Sequence, residues 1–202
     1  MREQLEMLID HACRVSDSHE VYVLGSQSAL GTIQELPPDV PMSTEADLLP
    51  SDRSTETAWR INEELGEESA FYSKWGVYAE ATDQVIGILP DGWESRLVDI
   101  DTKQGNVGHC LEIHDLCISK LNAGRSGKYD TTDDVDYVRK LINIGAVNPD
   151  VLRERLVATP EISPDKREGI EQRIILATSP EPLSASKAYE LLRAREKRST
   201  GH

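Results

Sequence analysis

The stretch "VYVLGSQSALG", residues 21–31, holds a short run of strand-forming residues, a Gly-Ser pair and then a short run with helical character. A Gly-Ser pair at the end of a buried strand has two readings. It is an ordinary turn, or it is a place where the backbone approaches a phosphate. Free N–H groups, a hydroxyl and the positive end of a helix dipole suit the second use. The neighbouring segments have to decide between them.

Immediately downstream, "QELPPDVP" carries three prolines and reads as a connecting loop. "MSTEADLL" (42–49) then reads as a second strand, with Thr44 and Ala46 on one face and Glu45 and Asp47 on the other. Two carboxylates at i and i+2 point at one spot and repel each other. A hard divalent cation such as magnesium relieves that repulsion. Alternating acids can also be no more than the wet face of a strand. A phosphate-holding turn beside a metal-binding acid pair would be a minimal apparatus for phosphoryl or nucleotidyl transfer.

Other segments follow from periodicity. Residues 2–15 read as a helix with Leu5, Leu8, Ile9 and Ala12 on one face. "STETAWRINEELGEE" begins with a Ser/Thr cap and predicts a helix over about 55–65. Between residues 78 and 113, short apolar runs alternate with turn residues, which predicts strands near 84–89, 95–100 and 108–112. "HDLCISKLNAGR" reads as a helix, and helices follow near 133–144, 149–157, 164–177 and 185–197. "NPD" and "SPD" place a capping residue and a first-turn proline at the starts of the second and third of these. The expected layout is α+β, with a core over residues 1–125 and a helical part over 126–202.

The bulk properties exclude several classes. A chain of 202 residues can bury a real core. It has no apolar run long enough to span a bilayer, and its start lacks the apolar core and cleavage site of a signal peptide. The expectation is therefore a cytoplasmic protein with no membrane partner. Three cysteines at unrelated spacings support neither a zinc ribbon nor a disulfide framework. The net charge of −14 argues against nucleic acid at first sight. Yet residues 1–120 hold 8 Lys+Arg against 23 Asp+Glu, and residues 121–202 hold 14 against 13. A basic face on the second part remains open.

Further polar residues could join a site. Lys120 lies beside Leu116 and Cys117 at helical spacing, so it either snorkels out at the core edge or points into a cleft at an anion. In "YDTTDDVDYVRKL", the acids at the helix start complement the dipole, or one of them, best Asp134, is a polar group in the same cleft. Asp99 and Asp101 form a second same-face pair that could add a metal ligand. The five histidines show no HxxxH spacing, and no nucleophile elbow or Walker sequence occurs.

The order "LGSQSAL", "STEADLLP", "PDGWESRLVDI", "CLEIHDLCISKLNAGR" and "DDVDYVRKLI" resembles the nucleotidyltransferase-like proteins of the AbiEii/MenT toxin group, over roughly residues 20–160. The resemblance implies a polymerase-β-like nucleotidyltransferase core, a small mixed sheet flanked by helices, with a helical C-terminal part. It implies that Gly25 and Ser26 hold the triphosphate of an NTP. It also implies that Glu45 and Asp47 bind Mg2+, with Glu where the wider superfamily usually has Asp. Lys120 would contact phosphate, and Asp134 would orient or deprotonate the acceptor. The extra "SGKYDTTD" stretch makes Asp133 a competitor of Asp134. A third carboxylate on a later strand, common in the superfamily, is not assigned by the matching blocks. In the toxins of this group a nucleotide passes from an NTP to the acceptor end of tRNA, opposed by an antitoxin. An inactive relative that binds a partner or senses nucleotide is the other expectation.

Overall fold

A computed structural model describes residues 1–123 and 131–179. The expected helix at 185–197 lies outside the described residues. The chain folds as α+β, with a mixed five-stranded sheet and eight α-helices among the described residues.

Helix α1 (Arg2–Ser16) leads into strand β1 (Glu20–Val23). A 3-10 turn (Ser26–Ser28) and the four-residue helix α2 (Ala29–Thr32) follow. Next come β2 (Glu45–Pro50), α3 (Thr55–Leu65), α4 (Ala70–Trp75) and β3 (Tyr78–Ala81). A second 3-10 turn (Trp93–Arg96) precedes β4 (Val98–Asp101) and β5 (Val107–Cys110). The chain then turns helical through α5 (Ile113–Ala123), α6 (Thr131–Asn143), α7 (Pro149–Val157) and α8 (Pro164–Thr178).

The sheet order is β3-β2-β1-β5-β4. β1 pairs antiparallel with β2 and parallel with β5, while β2 pairs parallel with β3 and β4 antiparallel with β5. One face is apolar. Val21, Val23, Ala46, Leu48, Ile100 and Cys110 belong to one buried cluster with the α1 stripe Leu5, Leu8, Ile9 and Ala12 and with Ala58, Ile61 and Leu65 of α3. Each fully buried Leu or Ile there stabilises the fold by roughly 1.5–3 kcal/mol. Because side chains alternate along a strand, Glu45, Asp47, Tyr22, Glu80, Asp99 and His109 project from the opposite face.

A second buried cluster joins α5–α8 to Ala29, Val40 and Leu89. It places α5 and α6 beside the turn that follows β1. Asn148 caps α7 by accepting from the Asp150 N–H at 2.9 Å, with Pro149 in the first turn, as "NPD" predicts. "SPD" also starts a helix, but Ser163 makes no side-chain cap.

The middle of the chain differs from expectation. Residues 84–89 form no strand. Gly87 sits at φ +101°, outside any strand conformation, and Val85, Ile88 and Leu89 pack against the helical cluster instead. Only the second half of 95–100 is extended, after the 3-10 turn, and 108–112 is shortened to β5. Both α4 and β3 occupy residues to which the sequence periodicity assigns no element. Ser69 caps α4 by accepting from the Tyr72 N–H at 3.1 Å, and Gly76 ends it in the left-handed region at φ +71°.

Candidate metal centre on the open sheet face

The register of β2 against β3 builds the site. It sets Glu45 opposite Tyr78 and Asp47 opposite Glu80. Paired residues share a face, so a third carboxylate joins the two on β2. One carboxylate oxygen each from Glu45, Asp47 and Glu80 lies within 4.8 Å of the others, a spacing that can hold a cation. Tyr78 adds a donor, its phenol O–H bonding Glu45 Oε2 at 2.9 Å.

The three acids disfavour one another's charged forms. Burial, and then the neighbouring Glu45, push the Asp47 carboxyl above the usual range, while the Lys120 ammonium and a backbone bond pull it back. Glu80 is also raised, first by a hydrogen bond to Glu45, then by the charge of Glu45, burial and Asp47. The Tyr78 phenol is pushed up to about 12, chiefly because it donates to Glu45. Three acids crowded this way either share protons or share a cation.

Gly25 forms the floor under Asp47. A Cβ on Gly25 would lie 1.5 Å from Asp47 Oδ2 and 2.5 Å from its Cγ. The backbone there is extended, at φ −82° and ψ −160°, a conformation open to any residue. Space for the carboxylate, rather than an unusual φ, therefore demands glycine. The Leu24 N–H donates to the Asp47 carbonyl at 2.9 Å and locks the two segments together. The helix after Gly25 is a single 3-10 turn running into four residues of α2. So short a helix sums few peptide dipoles, and its contribution to anion binding is small.

Lys120 comes from α5, and its charge is close enough to favour the ionised form of Asp47. Its ammonium is 3.2 Å from Asp134 Oδ1 and 4.8 Å from the centre of the Tyr137 ring. Tyr137, buried on α6, also donates a long 3.5 Å hydrogen bond to the Ser26 carbonyl. Gly25, Ser26, Glu45, Asp47, Lys120 and Asp134 therefore form one connected neighbourhood. Asp134 serves in it as the partner of Lys120. The side chain of Asp133 lies outside the described residues.

Asp99 and Asp101 do not join the acid group. They sit on edge strand β4, separated from β2 by β5 and β1, which at strand spacing is about 14 Å. Asp99 instead bonds His109 Nδ1 at 2.7 Å, and Glu20 meets the other ring nitrogen at 3.3 Å.

Sequence reasoning missed Glu80, Tyr78 and Tyr137. "VYAEA" (77–81) does alternate apolar and polar residues, and it would have placed Tyr78 and Glu80 on one strand face. Tyr137 lies one helical turn beyond Asp134, so it shares that residue's face. Compared with protein-family models, with curated proteins and with solved structures, the chain matches none.

Proposed function

We propose that the chain is a magnesium-dependent nucleotidyltransferase with a polymerase-β-like core, working on the open face between β3 and the Gly25-Ser26 turn. The observation that carries this reading is the convergence of Glu45, Asp47 and Glu80 within 4.8 Å beside a glycine that leaves room for Asp47. A bound Mg2+ would supply charge neutralisation at the phosphates of an NTP. Glu45, Asp47 and Glu80 would hold it. The Gly25-Ser26 turn would receive the triphosphate, and Lys120 would face the charge that develops on it. Asp134 and Tyr137 keep that ammonium in place. In the reaction an acceptor hydroxyl oxygen bonds to the α-phosphorus, the bond to pyrophosphate breaks, and the hydroxyl proton leaves to solvent or a carboxylate.

The resemblance to the AbiEii/MenT group makes tRNA the acceptor to try first and a cognate antitoxin the partner to seek. The test is incubation with each labelled NTP, Mg2+ and total tRNA, beside Glu45→Ala, Asp47→Ala and Glu80→Ala. We expect label transfer by the unmodified protein and a loss of at least about 100-fold in each variant. Equal transfer by the variants overturns the metal assignment. Nucleotide binding without transfer supports the second reading, an inactive nucleotide-sensing relative.

A further inference from the structure

We propose that His114 is a proton-operated catch between α5 and α7. With a neutral ring it bridges the Glu112 carboxylate and the Asn148 backbone N–H. With a doubly protonated ring it keeps Glu112 and releases the start of α7. This goes beyond the metal-centre reading and does not depend on it.

The geometry fixes the resting state of the ring. His114 lies in the first turn of α5, and its Nδ1 is 2.7 Å from Glu112 Oε1. Its Nε2 is 3.0 Å from the backbone nitrogen of Asn148, the residue that caps α7. A backbone N–H can only donate. Nε2 must therefore be a bare lone pair, and the single proton of a neutral imidazole sits on Nδ1, where it donates to Glu112. Glu112 is itself held in place. Its Oε2 accepts from the backbone N–H groups of His114 at 3.1 Å and Asp115 at 3.4 Å, at the start of α5. One imidazole thus ties together the starts of two helices that share a buried cluster.

A second proton turns Nε2 into a donor. Two donors then face each other and the bond to Asn148 is lost, while the contact with Glu112 becomes an ion pair. Glu112 is the only charged group in direct contact with the ring among the described residues. The connection 144–148 carries no ionisable side chain. On α7, Asp150 is engaged by Arg153, which also meets Glu171 of α8, and Arg155 lies 3.1 Å from Asp115. Asp115, next to His114 on α5, is also bonded by Arg96 at 2.8 Å. Burial disfavours the Glu112 charge, but the bonds from His114 and the backbone hold its carboxyl below the usual range. Glu112 therefore stays ionised over about pH 5–8, where histidine titrates. That asymmetry selects which of the two contacts breaks. Lys120 lies on the same helix, within two turns of the catch.

The experiment uses NMR of the protein alone, with signals assigned through the backbone. Long-range 1H–15N spectra at pH 8 should show His114 with its proton on Nδ1 and a bare Nε2. As pH falls through the His114 titration, the Asn148 amide should shift with the same midpoint. Its hydrogen-exchange protection, corrected for the intrinsic rate, should fall roughly fivefold, the worth of one ordinary hydrogen bond. In His114→Gln, which has no titrating ring, Asn148 protection should be independent of pH over that range. A proton on Nε2 at pH 8, or Asn148 protection unchanged through the titration, overturns the catch. The same pH dependence in His114→Gln also overturns it, by assigning the release to another group. The first two measurements use the unmodified protein and decide the matter even if the variant fails to fold.

Discussion

Gly25 and Asp47 share one space: a Cβ on the glycine would lie 1.5 Å from the aspartate's Oδ2. The glycine at the end of β1 is thus part of the acid group on β2, although it carries no functional atom.

Gly25→Ala should therefore act as a disguised Asp47 variant. The alanine backbone fits the extended φ and ψ, so folding survives, but the Asp47 carboxylate must swing to another rotamer. We expect loss of metal binding comparable with Asp47→Ala and a stability change within about 1–3 kcal/mol, the range for overpacking. Mn2+ titration and urea denaturation check the two halves separately.

Divalent cation should stabilise the fold, and Asp47 should be needed for it. At about 100 times its dissociation constant a ligand adds about 2.7 kcal/mol, which a thermal melt resolves easily. Burial and Glu45 disfavour the charged form of Asp47. Asp47→Asn should therefore melt higher than the unmodified protein without metal and show no response to metal. A variant that melts lower without metal would remove this account of the acid crowding.

The His109 contacts predict a pH dependence on the far side of the same face. Burial alone would lower its pKa, but bonds to Asp99 and Glu20 outweigh this and raise it above the ordinary 6.5. Raised in the folded state, the group contributes stability that is fully present below its unfolded value. That contribution is lost as pH rises through the folded value. Urea denaturation of His109→Gln beside the unmodified protein should show the largest deficit near pH 5.5, shrinking toward pH 8, the range over which histidine titrates. A pH-independent deficit would show that packing, and not charge, is what His109 supplies.

Asp115 should be the costliest acid to remove. It is fully buried between Arg96, bonded at 2.8 Å, and Arg155, whose Nε lies 3.1 Å away. Arg96 also donates to the carbonyls of Asp91 and Pro90, so the triad ties the segment before β4 to α5 and α7. Removing one partner of a buried pair strands the opposite charge, at a cost of about 3–5 kcal/mol. Asp115→Ala should lose that much in urea denaturation while its acid group at Glu45 keeps its geometry.

Periodic segments were legible early because their signals are local. The α1 stripe Leu5, Leu8, Ile9 and Ala12 is buried as its spacing predicts, and α3 and α7 fall where their caps predict. The apolar run 84–89 misled because a short run reads alike whether it pairs as a strand or packs under helices. Gly87 at positive φ decides the matter, and a conformation is invisible in a sequence.

For the acid group the division is sharper. An i, i+2 spacing by itself determined that Glu45 and Asp47 share a face, because alternation is a property of any strand. Only the tertiary structure decided which acids join them. Strand order is non-local: β3 lies beside β2 and brings in Glu80, while β4 sits at the opposite end of the sheet and takes Asp99 and Asp101 away. Spacing likewise put Lys120 beside an apolar stripe, but packing of α6 on α5 set its ammonium against Asp134 and the Tyr137 ring.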